Sequence, residues 1–478
     1  MDSAAGRKTS ISTNGKYRYG YTFVACLTLL LFRGWDRITH PELFAEGVRF
    51  MGSAFNHGWP GLLQSYDHYL HLAPNLIAVL AIKLVPIAHI PLFTNSVCYI
   101  ISAAVMASVS RGCYRWLVPS DHARSALAIL IVCAPGLMEI LGNLAGIHWL
   151  LLFWLAVLCL KDPEQEFTVW ELALVIVVVL SDGTSVIFLP LVFLRLFLSW
   201  QKPASKSQRG TAWTLNGRNG ETALFLILFI SAITIVINLL FQSGSNDDGS
   251  LIRVVDGIGR LLFHLQSILL VFYFLHPFFG TQNSSFIMHH NLEIMFPVAF
   301  IVMALLLWRL QRQLDHRFWL ILTWLLCLFL LPLILSLLRY WAFFGLFAPP
   351  FKNWWFRYNF IFAATGLVFM FIMLRPSQPF RLNPIANLAI VILIVAYLSQ
   401  ANTMNTLSKP PHEKDRFAIN RYGEALWSRT ASNLERSIRT GCPGEVIVAG
   451  HPFRENADPP LWHFVYKSKH LADNCDSR

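Results

Sequence analysis

Apolar runs separated by short polar loops organise the chain from residue 19 to residue 400. Several of these runs approach the roughly 20 residues that a helix needs to cross about 30 Å of hydrocarbon, and none alternates with the period of two that marks an outer-membrane barrel strand. The pattern therefore predicts helices that cross a membrane. Two stretches do not fit simple counting. Residues 70 to 110 have the length of two spans but allow an odd number of crossings, so a segment around 72 to 92, which contains Lys83, Pro86 and Pro91, reads as re-entrant or interfacial. Residues 262 to 279 present the same parity problem. Broken segments at membrane depth need protein or water to satisfy their backbone, so both point to a cavity. The expected architecture is an all-α polytopic membrane protein of about 10 to 13 helices by the roughly 20-residue rule.

The pattern changes after residue 400. Residues 412 to 440 place apolar positions at helical spacing, Gly441 offers a stop, and "EVIVAG" and "WHFVYK" read as short strands. The division expected is a tail at 1–18, a membrane domain at 19–400 whose first outer loop covers 35–75, and a small α/β region at 401–478. No internal repeat is visible.

Composition agrees with the pattern: 55% of the 478 residues are hydrophobic and 14% charged, against about 25% charged in soluble domains. The net charge of +11 would suggest nucleic acid in a soluble chain, but the excess lies in short loops and no nucleic-acid motif accompanies it. The basic loops are Arg111 to Arg124, Lys161, Lys202 to Arg218, Arg309 to Arg317 and Arg375 to Arg381. The positive-inside rule makes them cytoplasmic, together with the N-terminus, and the first apolar run reads as an uncleaved span. The same rule delivers the C-terminal region of this multi-pass protein to the extracytoplasmic side. Of eight cysteines, Cys26, Cys98, Cys133, Cys159 and Cys327 lie in apolar segments and Cys113 beside one, as small hydrophobes do. Cys442 and Cys475 are the pair that a disulfide in an oxidising compartment would join. No Cys/His spacing resembles a zinc site, though a divalent metal is compatible with the acids.

Candidate chemistry gathers on the outer face. In "WDRITHPELFAEGVRF" a helix starting at Pro41 would put Glu42 and Glu46 on one side at i, i+4, with Phe50 about a turn further. Either these acids face water at the interface, or one faces a pocket and accepts a proton. "QSYDHYLHLAPN" supplies Tyr66, Asp67, His68, Tyr69 and His71, with Asp67 and His71 again at i, i+4; an aromatic belt is the alternative. "MEILGNLAGIHW" places Glu139, Asn143, His148 and Trp149 at the outer end of two spans, and "SDGTS" offers Asp182 as a helix cap. In "FKNWWFRYNF", Lys352, Arg357 and Tyr358 form either a phosphate site or an interfacial anchor.

Taken in order, "PELFAEGVRF", "YDHYLHLAPNLIAVLA", "EILGNLAGIHWLLL", "SDGTSVIFLPLVFLR" and "WFRYNF" resemble blocks of bacterial multi-pass proteins that read approximately W-A-E-D-G, Y-x-G-Y-L-H-L-x-P-R, G-N-x-x-N-x-H-W, G-x-T-x-P and R-Y. These blocks, and the acidic first outer loop, resemble the GT-C glycosyltransferases. The chain departs from the blocks at Ala45, where they carry Glu, at Glu46, where they carry Asp, at Asn75 in place of Arg, and at Ala145 in place of an Asn-like residue. The resemblance implies a GT-C-like fold and an inverting hexosyl- or pentosyltransferase. Its donor would be a polyprenyl-phosphate-linked sugar and its acceptor a cell-envelope glycan or lipid, with membrane lipids as surroundings. It implies Glu46 as the base, Glu42 as support, Arg357 with Lys352 on the donor phosphate, and His71 and His148 as pocket residues. Asp36 becomes an interface residue. A transporter or flippase of a lipid-linked saccharide is the alternative, and would call for ionisable groups deep within spans and for related halves.

Overall fold

The computed structural model describes residues 14–39, 41–43, 47–66, 69–134, 137–201, 214–215, 217–242, 304–305, 307–314, 317–338, 356–374, 427, 431–439, 446–449 and 463–466. In chain order these form α1 (Asn14–Arg33), α2 (Trp35–Thr39), α3 (Gly47–His57), β1 (Ser65–Tyr66), β2 (Tyr69–Leu70), α4 (Leu72–Leu84) and α5 (Ile90–Ser108). There follow α6 (Asp121–Val132), α7 (Leu137–Ile140), α8 (Ile147–Leu158), β3 (Phe167–Thr168), α9 (Val169–Val179), α10 (Leu189–Gln201), β4 (Thr214–Leu215) and α11 (Gly217–Gln242). The last are α12 (Phe318–Leu338), α13 (Phe356–Leu374), β5 (Val446–Ala449) and β6 (His463–Tyr466). The described chain is thus mostly helical. Among the described residues three helical segments, Ile87–Ser108, Gly183–Gln201 and Arg218–Ile235, are long and apolar enough to cross a membrane, and five shorter apolar helices accompany them. Residues 262 to 279 lie outside the described residues.

A helix that is apolar all round belongs in the interior of a bundle. In α8 every residue from Ile147 to Leu158 is buried, and α4, α5, α9 and α13 pack around it. Phe153 of α8 meets Phe360 of α13 edge-on at 5.8 Å, and the Trp324 indole N–H of α12 donates to the Ala156 carbonyl at 2.8 Å. Against α1 and α2, α5 is pinned by two side chains: the Tyr99 hydroxyl donates to the Gly34 carbonyl at 2.8 Å and the Asn95 amide to the Arg37 carbonyl at 2.9 Å. Gly34 stands between α1 and α2 because a Cβ there would overlap the Tyr99 hydroxyl.

Pro86 acts as the sequence suggests. It forces the preceding residue out of the helical region, and Val85 is extended, with φ −131° and ψ 152°. The 13 residues of α4 reach roughly 20 Å at 1.5 Å per residue, short of a full crossing. A single turn at Ile87–His89 then leads into α5.

One local expectation is corrected. Residues 41 to 43 are not helical, and α3 begins at Gly47. Glu42 and Leu43 are consecutive and both buried, which a non-helical segment entering the protein allows and a surface helix would not. A shared helical face for Glu42 and Glu46 therefore does not exist at Glu42. Just before His71, Ser65 pairs with Leu70 and Tyr66 with Tyr69 as short antiparallel strands, while Asp67, the other member of the i, i+4 pair, lies outside the described residues.

In the C-terminal region, β5 and β6 pair antiparallel from Val446↔Tyr466 to Ala449↔His463. The helical stretch 431–439 falls within the segment read as helical. These elements reach the bundle where β6 packs on α3 and where the Trp427 indole donates to the Ile87 carbonyl at 3.1 Å. Cys442 and Cys475 lie outside the described residues, and the six other cysteines are buried free thiols.

Candidate functional site

Backbone stitches between distant segments build the site. The Leu72 N–H donates to the Leu180 carbonyl at 3.3 Å, and the Ala73 N–H donates to the Ser181 hydroxyl at 2.8 Å. The start of α4 is thereby fixed against the turn that follows α9. Asn75, one turn into α4, donates to the Gln64 carbonyl at 3.1 Å and ties the helix to the end of the first loop.

A second turn, 141 to 146, closes the site from the other side. Gly142 has φ +67°, a conformation that costs an L side chain. The Asn143 side-chain oxygen accepts from the Ala145 N–H at 3.0 Å, an Asx-type turn. Asn143 thus builds the turn that launches α8 and sets His148 on its first turn. Gly47 at the start of α3 meets Leu144 of this turn, so the first loop, the second turn and α8 share one end of the bundle.

Four rings run through this end. Phe50 of α3 lies 5.2 Å from His71, His71 lies edge-on to His148 at 5.5 Å, and His148 is 4.9 Å from Trp149. Asp182 completes the run, with Oδ2 at 4.0 Å from His148 Nε2. Its Oδ1 accepts from the Thr184 N–H at 2.9 Å and the Thr184 hydroxyl at 2.6 Å. Asp182 is thus the cap that the sequence suggested and also the carboxylate that faces an imidazole. Glu42, His71, Asn143, His148 and Asp182 are all buried, and buried ionisable groups are retained at a desolvation cost that structure or chemistry has to offset.

The structure brings together His71, His148 and Asp182, and places Glu42 and Asn143 in segments of the same end. Glu46, Asp67, His68 and Lys352 lie outside the described residues. Glu139, Arg357 and Tyr358 fall in α7 and α13, and Asp36 in α2, but their side chains lie outside what is described. Among the described residues no group of three or more His, Cys, Asp or Glu side chains is arranged to hold a metal ion.

Two cations at this end are missed by the sequence reading. Arg33 donates to the Val132 carbonyl and Arg37 to the Leu141 carbonyl, and both are buried. The signal was present: Arg33 and Arg37 follow the first apolar run, where the expected topology would disfavour basic residues by the positive-inside rule.

The opposite end of the bundle carries an ionic network. Glu171, in the first turn of α9, accepts from Lys161 at 2.7 Å and pairs with Arg111 at 2.7 Å. It also closes a capping box with Thr168. Burial pushes its carboxyl up, but the charges of Arg111 and Lys161 and the hydrogen bonds from Lys161 and the Thr168 N–H prevail and hold it below the usual value. Arg195 of α10 donates through Nε to Glu221 of α11 at 3.0 Å, through Nη2 to the other carboxylate oxygen, and through Nη1 to the Cys159 carbonyl at 3.0 Å. Arg317 pairs with Glu164 at 2.6 Å. These residues hold helix ends to one another.

No protein-family model, no curated protein and no solved structure matches the chain.

Proposed function

We propose that this chain is a polytopic membrane glycosyltransferase of GT-C type that moves a sugar from a polyprenyl-phosphate donor to a cell-envelope glycan or lipid. The observation that carries the reading is the convergence of His71, His148 and Asp182 at one end of an apolar bundle, from three segments well separated in sequence. Glu42 and the start of α3 belong to the same end. Such an arrangement supports a reading in which polar, titratable groups serve a reaction between a lipid carrier and a hydroxyl acceptor.

In this mechanism the acceptor hydroxyl attacks the anomeric carbon from the face opposite the phosphate. Its O–H bond breaks and the proton passes to a carboxylate of the first loop, Glu46 with Glu42 in support. The new C–O bond forms as the bond to phosphate oxygen breaks, and the electron pair leaves with the polyprenyl phosphate, inverting the sugar carbon. The leaving phosphate needs cationic stabilisation, which Arg357 and Lys352 supply by resemblance. His71 and His148 contact the saccharide. The site faces the extracytoplasmic side of a bacterial inner membrane, with the N-terminus in the cytoplasm and the C-terminal region outside. Glu46→Gln membranes, matched to wild type for protein abundance, are expected to lose sugar transfer by at least the 10²-fold that general base catalysis typically contributes, about 10² to 10⁴. Wild-type transfer by this variant removes Glu46 as the base.

A further inference from the structure

Arg33 holds more donors than its place in the fold uses. It stands in the last turn of α1, where a cation suits the helix dipole, and its Nη1 donates to the carbonyl of Val132, the last residue of α6. Neither task needs Nε or Nη2. Both of these atoms are buried in a residue only 8% exposed, and among the described residues neither has a hydrogen-bond partner. A buried cation is costly unless it is paired and hydrogen-bonded, so these two donors call for an anion.

The same molecule shows what such an edge holds. Arg195 also donates through Nη1 to a carbonyl at a helix C-terminus, that of Cys159 just past α8, while its Nε and Nη2 meet the two oxygens of Glu221. The Nε and Nη2 protons of a guanidinium point the same way, and together they take two oxygens of one carboxylate or phosphate. Arg33 repeats the anchoring of Arg195 at Nη1 and presents the same edge. Its surroundings are fixed: the Tyr99 hydroxyl donates to the carbonyl of the next residue, Gly34, at 2.8 Å, and the Asn95 amide to that of Arg37, one turn on, at 2.9 Å. Trp35 beside it is exposed, and exposed Trp marks the headgroup level of a bilayer, where the abundant anion is the lipid phosphate.

We infer that the Nε–Nη2 edge of Arg33 is a binding site for a phosphate group at the C-terminal end of α1, supplied by a lipid headgroup or by free phosphate. Each nitrogen donates to one phosphate oxygen. The inference stands apart from the glycosyltransferase reading, since a phosphate site here would serve a transporter equally.

Arg33→Lys separates this role from helix capping. Lysine keeps the charge and can still reach the Val132 carbonyl, but it has no two-donor edge. The full chain, purified in a non-ionic detergent, is titrated calorimetrically with inorganic phosphate, with dihexanoyl phosphatidic acid and with hexanoate. Wild type is expected to bind a phosphate probe, and Arg33→Lys to bind it about tenfold more weakly, the loss of roughly one hydrogen bond to a charged group. Because the substitution leaves the net charge unchanged, general attraction of anions to a basic protein cannot produce that difference. Binding of phosphatidic acid well above inorganic phosphate assigns the site to a lipid headgroup, and equal binding assigns it to free phosphate. Equal affinity of wild type and Arg33→Lys, or hexanoate bound as tightly as the phosphate probes, overturns the inference. Should Arg33→Lys not fold, a density map of the wild type saturated with phosphatidic acid decides. Phosphate oxygens about 2.7–2.9 Å from Nε and Nη2 are expected, and an edge filled by a carboxylate or carbonyl of the chain itself overturns the inference.

Discussion

Replacing Glu221 with Gln tests whether the ionic network at the basic end holds the bundle together. Arg195 is fully buried, at 0% exposure, and it places its guanidinium against both oxygens of Glu221 and against the Cys159 carbonyl. The glutamine side chain would keep the shape but remove the counter-charge, and it would turn an NH₂ donor toward an N–H donor. Breaking a buried pair by removing one partner costs about 3–5 kcal/mol, because the remaining charge stays buried. The carbonyl bonds that Arg195 keeps place this case near the lower limit, about 3 kcal/mol. That is a large share of a folding free energy of about 5–15 kcal/mol. Unfolding of the purified protein, titrated with a denaturing detergent, measures the loss directly. The double variant Arg195→Leu with Glu221→Leu removes both charges, and is expected to recover most of the stability, because buried pairs replaced by apolar groups are often neutral or better. A Glu221→Gln protein within about 1 kcal/mol of wild type, or a double variant no better than the single, would refute the reasoning.

Glu171 carries a pH dependence. Its carboxyl is held below the ordinary value of 4.5 by Arg111 and Lys161 against the effect of burial, so its stabilisation is complete above that value and is lost as pH falls through the lower folded one. Stability measured against pH should therefore fall more steeply on the acid side for wild type than for Glu171→Gln, and parallel profiles would contradict the assignment. Gly34→Ala drives a Cβ into the Tyr99 ring, whose Cζ would lie 2.8 Å away; an overpacking loss of about 1–3 kcal/mol is expected in thermal unfolding. Adding Tyr99→Phe, which removes the overlapping hydroxyl, should return part of it.

Much of the bundle was legible because hydrophobic periodicity and proline chemistry are local. Pro86 ends α4 where the sequence places the break, and Asp182 caps the turn that "SDGTS" suggests. The helix expected from Pro41 failed at Glu42 because i, i+4 spacing assumes a helix, and burial of Glu42 and Leu43 overrode local propensity. The His71–His148–Asp182 group was present as three separate candidates. The stitches from Leu72 to Leu180 and from Ala73 to Ser181 bring two of their segments together, and no local pattern encodes contacts of that range. The ionic network was hidden by its own usefulness as a topology signal. Lys161 was counted as a cytoplasmic charge, while the T-V-W-E run at Thr168–Glu171 announced a capping box whose acid had a second task.

Donor consumption by the purified chain in lipid vesicles tests the central claim most directly. A polyprenyl phosphate carrying a radiolabelled sugar is supplied with a glycan or lipid acceptor, and both free polyprenyl phosphate and labelled acceptor are measured. A glycosyltransferase releases one polyprenyl phosphate for each sugar transferred, and His148→Ala lowers both together. Label that crosses the bilayer while still bound to its carrier, with no free polyprenyl phosphate formed, would contradict the account and identify a transporter instead.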